Sequence, residues 1–519
     1  MKIFKILLIS VAFVLGVVSC DLTEHPTFLS EESAYEGLSN IRASLDGIYN
    51  GYTQYSYYSN DFIYASFVGS GFFISGIGNS NTHPNNKYLA SLMPLNTQTY
   101  TENPWKGMYK TVERANVFIA NVEEIETPVS SEDLAINDAL GEAYFLRALT
   151  YFNLVQMYGS IPLRLEPSTS DNIHMAKSAT DIIYQQIIDD AKNAERLMYS
   201  HPLNRPGYPA SEAVSMLLAK IYMTMATTDD PVPMSDAQQC WTLAYESAKK
   251  VYGKYNLNSS YAEMFEEATS DNTAESIFEI QFNDLVHNNH SRLFTAGGAV
   301  KAATWGRIRA NAELYDLHKH CYPDDTTRLN QTFKTQYVKF KTGKLIKLYP
   351  IVQRNWFNNS FPYIYKHWQK NRMATTPYYQ KNFIVYRYAD LLLMLAEISN
   401  ELDNGEQFDY VNEVLNRVGL STDDFVPDSI TGADYNGGKE AFRKAIMLEY
   451  RFELLAEGQD YFNNRRRGFD FFKDMVIEPH NNYENFKPNI DVTLSSDKNL
   501  VMHFPIPQSE INTNNLIDN

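Results

Sequence analysis

Paired acidic residues and closely spaced histidines raise the question of catalysis in this sequence. Asp324 and Asp325 in YPDDTTR could act as a general acid and base, and His287 and His290 in VHNNHS could share a metal ion. A third metal ligand is not evident, and the chain has no GxSxG elbow, HExxH or P-loop. We therefore expect that the protein is not an enzyme and has no cofactor. Two questions stay open: whether a Ca²⁺ ion supports a loop, and whether two of the 62 acidic residues hydrolyse a glycosidic bond.

Charged residues within the predicted helices are expected to have structural roles rather than catalytic ones. Arg147 and Glu449, and also Arg387 and Asp390 in YRYAD, are expected in buried helix–helix salt bridges or helix caps. The run 465–467, three consecutive arginines, could bind phosphate. We expect instead a basic cluster at a helix C-terminus, where positive charge complements the helix dipole.

Aromatic residues beside Asn, Asp or Arg recur in the polar stretches of a chain that is 13% aromatic. Flat rings can pack on the C–H faces of a sugar, while amides and charged groups pair with its hydroxyls. Core packing is the alternative for each of these aromatic residues. The candidates are Tyr55, Tyr57, Tyr58, Asn60, Asp61, Phe72, Phe73, Asn79, Asn81, Trp305, Arg307, Asn355, Trp356 and Asn358.

The N-terminus has the pattern of an export signal that ends at a cysteine. Lys2 and Lys5 precede an apolar run that is too short to span a membrane, and residues 1–19 are expected to be a signal peptide. The tetrad VVSC, ending at Cys20, resembles a bacterial lipobox, in which the cysteine sulfur receives a lipid anchor. An ordinary signal peptide with a chance cysteine is the alternative. Residues 20–32 would form a tether.

Composition limits the function classes further. The 519-residue chain has a net charge of -17, which argues against nucleic acid or anionic lipid as a partner. Besides Cys20 it has Cys240 and Cys321, which lack metal-site spacing. Whether these two cysteines pair is open at this point.

Hydrophobic periodicity predicts a mainly α-helical fold. Helices are expected at 33–49, 105–125, 133–157 and 180–199, and Pro104 marks the start of the second of these. Two further helices are expected before residue 255, and three after residue 380. Residues 51–103 are expected to form an insertion, and residues 256–379 loops and short strands. The C-terminal tail reads as extended. Alanines at helix contact positions resemble tetratricopeptide helix pairs.

Six segments in order resemble the SusD/RagB family of outer-membrane nutrient-binding lipoproteins. They are NPWKGMYKTVERANVFI, GEAYFLRALTYFNLVQMYGSIPL, YPASEAVSMLLAKIYM, VYRYADLLLMLAEISNE, EYRFELLAEGQDYFNNRRRG and FPIPQSEI. The resemblance covers essentially the whole mature chain, although the tail NTNNLIDN lacks the family's usual proline.

The resemblance implies a single domain, residues 33–519, with about four tetratricopeptide-like helix pairs and a loop-rich part. Its subdivisions would be 33–255, 256–379 and 380–519. It implies an outward-facing outer-membrane lipoprotein that binds a glycan without catalysis and delivers it to a SusC-like TonB-dependent transporter. A peptide-binding member of the family and, less favoured, a surface glycosidase are the alternatives.

By the same resemblance, the ligand would lie on the N-terminal loops and on the segment before the ELYD-like helix. This favours the loop from Phe72 to Asn81 and Trp305 among the candidates. Asp325 and Arg328, by the same likeness, would close a turn instead of acting in catalysis.

Overall fold

The structure, a computed structural model, describes residues 33–75, 86–125, 131–199, 207–349, 361–483 and 493–517. These residues form a mainly helical fold, as predicted. The helices are α1 (Gly37–Tyr52), α2 (Asp61–Val68), α3 (Asn86–Ala90), α4 (Thr99–Glu123), α5 (Ser131–Tyr158), α6 (Thr180–Leu197), α7 (Ser211–Met225), α8 (Ala237–Lys249), α9 (His290–Phe294), α10 (Ala312–Cys321), α11 (Thr326–Thr332), α12 (Tyr388–Leu402), α13 (Gln407–Asn416), α14 (Lys439–Leu454), α15 (Asp460–Arg465), α16 (Phe469–Phe472), α17 (Glu478–Asn481), α18 (Lys498–Val501) and α19 (Gln508–Thr513).

The long helices pack in neighbouring pairs, as the alanine pattern predicts. The pairs are α1 with α4, α5 with α6, α7 with α8, and α12 with α13. Ala143, Ala148, Ala219, Ala244 and Ala396 are all fully buried. Small side chains at these positions let the helix backbones approach closely. The pairs form the scaffold on which the irregular segments sit.

Short antiparallel strands connect the irregular segments to this scaffold. The strands are β1 (Phe73–Ser75), β2 (Ser276–Ile280), β3 (Ile308–Ala310), β4 (Phe333–Lys334), β5 (Gln336–Val338), β6 (Leu345–Lys347), β7 (Tyr363–Ile364) and β8 (Phe383–Arg387). One sheet has the order β1-β3-β7-β4, while β2 pairs with β8 and β5 with β6. In the first sheet Phe73 lies opposite Ala310. Strands β2 to β7 lie within residues 256–379, where short strands were predicted.

Three details differ from the sequence expectation. Residues 61–68, which were assigned to an insertion, form helix α2 with every residue buried, so no amphipathic pattern marks it. Helix α4 begins at Thr99 and contains Pro104 inside it, because the turn before the proline is also helical. The tail carries the short helix α19 instead of being extended throughout.

The charged residues of the helices lie in buried ion pairs, as predicted. Arg147 binds both carboxylate oxygens of Asp190 at 2.7 Å, linking α5 to α6. Asp390 of α12 pairs with Lys220 of α7 at 2.8 Å. Glu449 of α14 pairs with Arg328.

The predicted turn in YPDDTTR is also present. Asp325 accepts a hydrogen bond from the backbone N–H of Arg328 at 3.0 Å and caps α11. Its carboxylate also pairs with the Arg328 guanidinium at 2.5 Å. Asp325 is therefore a structural carboxylate.

A buried charge network holds the C-terminal helices to strands β2 and β8. Its members are Glu275, Arg328, Arg387, Arg417, Glu449, Glu453 and Glu457. Arg387 lies 2.7 Å from Glu275, 2.8 Å from Glu453 and 2.6 Å from Glu457. Burial alone would raise the pKa of Glu453, but Arg417, Arg387 and Arg328 hold this pKa well below its ordinary value.

The arginine run at 465–467 lies at the C-terminus of α15, as predicted, and Arg465 and Arg466 are buried there. Arg466 and Arg467 pair with Glu397 of α12, and Arg465 donates to the carbonyls of Gly69 at 2.7 Å and Val501 at 2.8 Å. Arg465 also donates to the carbonyl of Tyr461 in the last turn of α15, at 3.2 Å. Carboxylates and carbonyls of other elements bind the same side chains, so the run links α15 to its neighbours.

Cys240 and Cys321 are both buried free thiols, so the open question of a disulfide is settled against pairing. Burial raises the pKa of the Cys240 thiol to about 11. Within the described ranges, no helix combines the length and the apolar character that a membrane span requires. Cys20 and the predicted signal peptide lie outside these ranges.

Candidate functional site

Several loops bring aromatic and arginine side chains together at one place, which we call the aromatic–arginine cluster. The loop after α1 supplies Tyr55, helix α9 supplies Arg292, and the segment before β3 supplies Trp305 and Arg307. The loop before β8 supplies Tyr378. Burial raises the pKa of Tyr55, whereas the charges of Arg307 and Arg292 lower it, so Tyr55 lies within electrostatic range of both guanidinium groups.

Trp305 stacks with two guanidinium groups. The central carbon of Arg292 lies 3.6 Å from the centre of the indole ring, and that of Arg307 lies 4.0 Å from it. Cation–π contacts of this kind contribute about 0.5–2 kcal/mol each. The half-buried indole therefore holds two positive charges in place, instead of presenting an uncovered ring.

The backbone around Trp305 is held by its contacts with α9. The N–H groups of Trp305 and Gly306 both donate to the carbonyl of Arg292, at 2.8 and 3.2 Å. Gly306 has φ +55°, and a Cβ there would lie 2.7 Å from the ring of Tyr363 and 2.9 Å from Cα of Ala296. Glycine is therefore required for this close approach, which sets Trp305 beside Arg292.

Backbone hydrogen bonds join the three loops of the cluster. Asn289 donates to the carbonyl of Ser59 at 3.0 Å, which ties α9 to the loop that carries Tyr55. Asn288 and Tyr379 exchange two backbone hydrogen bonds, at 2.9 and 3.0 Å, which tie in the loop that carries Tyr378. The cluster is therefore preorganised by main-chain contacts.

Two tyrosines give the cluster its accessible aromatic surface. Tyr55 is 51% exposed and Tyr378 is 39% exposed. The Tyr378 ring packs against the imidazole of His287, with 4.2 Å between ring centres. Arg292 lies 6.0 Å from the centre of the Tyr378 ring. An apolar ligand face and guanidinium donors are thus offered side by side.

The guanidinium of Arg292 forms no hydrogen bond or ion pair within the described part of the chain, and its Nε is buried without a partner. Arg307 donates to the hydroxyl of Tyr100, whose ring stacks on Tyr64 at 4.1 Å. Burial raises the pKa of Tyr100 to about 12. Arg292 is thus the guanidinium that is most available to a ligand.

Asp61 is the carboxylate beside the cluster, and it is 2% exposed. Its oxygens accept hydrogen bonds from the side-chain amides of Asn60 at 2.7 Å and Asn103 at 2.6 Å. Burial raises the pKa of Asp61, and the two amides partly offset this effect. Asp61 therefore has a structural role at the base of the cluster.

The histidine pair of VHNNHS does not form a metal site in this arrangement. His290 is buried, and its Nε2 contacts the carbonyl of Tyr58 at 2.7 Å, whereas His287 packs on Tyr378. Burial lowers the pKa of His290 to about 4, so the ring is neutral. Within the described ranges, no group of three or more His, Cys, Asp or Glu side chains could hold a metal ion.

The structure separates the sequence candidates into different environments. Trp305 and Arg307 lie in the aromatic–arginine cluster. Tyr57 and Tyr58 are buried, and their ring centres lie 4.7 Å apart with the rings tilted by 48°. Both hydroxyls accept from the side-chain amide of Asn153, so these tyrosines are core residues here. Phe73 is also buried and packs on Phe67.

Phe72 lines a cavity that shares no residue with the aromatic–arginine cluster. Asn79, Asn81 and Trp356 lie outside the described residues, as do Asn355 and Asn358, and their contact with a ligand stays a prediction.

Sequence reasoning missed Arg292, Tyr378 and His287 as members of this cluster. Arg292 directly follows the HNNHS segment that drew attention as a metal site, and Tyr378 follows a proline in the loop TTPYY. A search for loop tyrosines after proline would have found Tyr378. The stacking of Arg292 on Trp305 has no local signal, because the two residues come together only through the tertiary fold.

Two family models match successive parts of the chain. The sequence model of the SusD family matches residues 230–519, and a second family model, described as "Starch-binding associating with outer membrane", matches residues 27–223. The SusD-like protein P25 of Formosa agariphila is 25% identical over 99% of this chain and 97% of its own length.

Solved structures share the fold. A SusD homolog from Bacteroides thetaiotaomicron has a TM-score of 0.76 at 19% identity, covering 94% of this chain and 97% of that one. A laminarin binding SusD-like protein has a TM-score of 0.68 at 20% identity, covering 93% and 99%. The matching family model spans more than half of the sequence. This chain belongs to the SusD family.

Proposed function

We propose that this protein binds an oligosaccharide or polysaccharide at the aromatic–arginine cluster. The observation that carries the proposal is the placement of Arg292 and Arg307 on Trp305, beside the exposed rings of Tyr55 and Tyr378. A sugar can lay a C–H face on either tyrosine and accept hydrogen bonds from the guanidinium groups at its hydroxyls. The laminarin binding structural neighbour supports a glycan as the ligand class.

The protein acts without catalysis in this proposal. Glycoside hydrolysis generally needs two carboxylates that flank the scissile bond. The carboxylate beside the described cluster, Asp61, is buried and accepts two amide hydrogen bonds. A binding role therefore suits the side chains better than hydrolysis does.

Family membership supports the remaining parts of the proposal. The protein would be anchored to the outer membrane by a lipid on Cys20, facing outward, and would pass its glycan to a SusC-like TonB-dependent transporter. Two experiments test this part. Cys20→Ala should abolish incorporation of labelled fatty acid and release the protein from the membrane fraction, and the transporter should co-purify with the lipidated protein from detergent-solubilised membranes.

Calorimetry with the purified full-length protein tests ligand binding. The panel would contain laminarin, xyloglucan, a uronate polymer and a mixed peptide digest. We expect saturable heat with one glycan and at least about a tenfold loss of affinity in Tyr378→Ala, because a stacking surface is removed. Tyr252→Ala is the matched control, since Tyr252 is 38% exposed and packs on Tyr388 and Tyr410 of the scaffold.

Binding of peptides alone would favour the peptide-binding alternative. Release of free sugar from a bound glycan would favour the glycosidase. Equal glycan affinities in Tyr378→Ala and Tyr252→Ala would place the site away from the cluster.

A further inference from the structure

A cavity that shares no lining residue with the aromatic–arginine cluster contains a buried arginine without a carboxylate partner among the described residues. It has a volume of about 230 Å³, far more than the roughly 10–15 Å³ that one water needs. Phe72, Leu314, Met475 and Val476 form much of its apolar wall, and it reaches the surface beside Ile430, which is 69% exposed. We call it the acid–base pocket, for the two charged residues described next.

Arg451 lines this pocket and is 6% exposed. Its Nη2 donates to the carbonyl of Met475 at 3.1 Å, and its Nε is buried without a partner. It forms no ion pair with a carboxylate of the described residues, and its guanidinium carbon lies 4.3 Å from the centre of the Phe72 ring. A buried cation with so few partners is costly, so a ligand that supplies an anion would be stabilised here.

Other buried arginines show that this arrangement is unusual in the molecule. Arg465 also lacks a carboxylate partner, but all three of its nitrogens donate to backbone carbonyls. Arg147 binds Asp190 through two nitrogens and Asn116 through the third. Arg451 donates a hydrogen bond through only one nitrogen. Two carboxylates of the same helix α14, Glu449 and Glu453, are paired with other arginines instead.

Asp428 lines the same pocket and is 4% exposed. One oxygen accepts from the backbone N–H and hydroxyl of Thr431, at 2.8 and 2.6 Å. No cation of the described residues pairs with Asp428, and its charge acts on Arg451 from beyond ion-pair distance. The pocket therefore holds one unpaired positive and one unpaired negative group across an apolar space.

The other carboxylates of the pocket wall already have partners. Glu313 pairs with His480, and Asp316 accepts hydrogen bonds from the hydroxyls of Tyr349 and Tyr483. Asp428 differs from these carboxylates, because its side-chain partner is Thr431 of its own turn. It bonds to no side chain elsewhere in the described wall.

We propose that the acid–base pocket binds a free α-amino acid with an apolar side chain. The ligand carboxylate pairs with the guanidinium of Arg451, and its ammonium pairs with the carboxylate of Asp428. Its side chain packs among Phe72, Leu314, Met475 and Val476. Guanidinium–carboxylate pairs of this kind form two parallel hydrogen bonds, which gives the site both affinity and orientation.

Three ligands of nearly the same shape test this proposal on the unmodified full-length protein by calorimetry. L-Leucine carries both charges, 4-methylpentanoate lacks the ammonium, and 3-methylbutylamine lacks the carboxylate. We expect saturable binding of leucine and at least about a tenfold weaker binding of each of the other two, because each loses a charge-assisted hydrogen bond. Equal affinities for leucine and either analogue, or no saturable heat with leucine, would overturn the proposal.

Variants locate the site. Arg451→Gln and Asp428→Asn should each lower the leucine affinity at least about tenfold, and the asparagine keeps an acceptor for Thr431. Arg372→Gln, at an exposed arginine, makes the same chemical change and should leave leucine affinity unaltered. An unaltered affinity in Asp428→Asn would contradict the assignment even if Arg451→Gln failed to fold. Leucine binding does not depend on the glycan proposal, because none of these residues lies in the aromatic–arginine cluster.

Discussion

The buried charge network and the aromatic–arginine cluster both contain arginine, but the arginines of the two regions have opposite kinds of surroundings. In the network, Arg387 contacts three carboxylates within 2.6–2.8 Å and is almost fully buried. In the cluster, Arg292 stacks on an indole and has no carboxylate or carbonyl partner among the described residues. The network fixes the fold, whereas the cluster leaves donors available for something outside the chain.

This difference shows how to find sites in a strongly acidic protein. With a net charge of -17, most arginines could find a carboxylate close by. An arginine that has no carboxylate partner, and whose nitrogens are not all taken up by carbonyls, is therefore informative. Arg292 and Arg451 both meet this criterion, and each lies beside aromatic surface that a ligand can contact.

Removing one acid from the network should give the largest effect. Glu453 pairs with Arg387, Arg417 and Arg328, so Glu453→Gln leaves buried guanidinium groups without their counter-charge. We expect a loss of about 3–5 kcal/mol in the free energy of unfolding, measured by urea denaturation. Glu440, an exposed residue that pairs with Arg443, supplies the control, and Glu440→Gln should cost less than about 1 kcal/mol because Arg443 keeps its pair with Glu401. Similar losses in the two variants would show that the network is not a special source of stability.

The ion pairs of Glu397 with Arg466 and Arg467 should make a smaller contribution to stability, and this contribution should depend on pH. Burial alone would raise the pKa of Glu397, but Arg466 and Arg467 lower it to about 2 from an ordinary value of 4.5. The folded state thus binds this proton less readily than the unfolded state. The stabilisation, on the order of 3 kcal/mol, is present above pH 4.5 and is lost as the pH falls towards about 2.

Glu397→Gln isolates that contribution. Asp460 acts in the opposite sense, because burial raises its pKa to about 7, but the variant leaves Asp460 unchanged. Urea denaturation across the acid range should give a shallower fall in stability for Glu397→Gln than for the original protein. Parallel curves would contradict the pairing of Glu397 with Arg466 and Arg467.

A substitution at Gly306, beside Trp305, should lower both the stability of the fold and the affinity for glycan. In Gly306→Ala, the added Cβ would meet the Tyr363 ring and Cα of Ala296, at a positive φ that alanine rarely adopts. We expect a loss of about 1–2 kcal/mol in unfolding free energy and weaker glycan binding, because Trp305 would move away from Arg292. Gly343→Ala is the control, since Gly343 also has a positive φ but open space around it. It should cost stability without changing glycan affinity.

Much of the fold could be predicted from the sequence, because local patterns carry it. Gly159 ends α5 with φ +69°, as the glycine and the following Pro162 indicate, and the paired helices follow from buried alanines. Helix α2 could not be predicted by periodicity. All eight of its residues are buried, so no polar face reveals the helix.

The site was less predictable than the fold. The sequence singled out Trp305 and Arg307, which are two residues apart and lie in one loop. It also singled out Tyr57 and Tyr58, which the fold places in the core, because an aromatic residue beside a polar one looks the same in a core turn and in a binding loop. Arg292 and Arg451 could be recognised only by the absence of partners, which is a property of the tertiary structure.

The most direct test of the glycan site pairs stability with binding in Arg292→Gln. Since the Arg292 guanidinium has no hydrogen-bond partner among the described residues, the unfolding free energy should change by no more than about 2 kcal/mol, the upper end of the contribution of its contact with Trp305. Affinity for the glycan that the calorimetric panel identifies should fall at least about tenfold. A variant that binds this glycan as tightly as the original protein would contradict the assignment of the aromatic–arginine cluster.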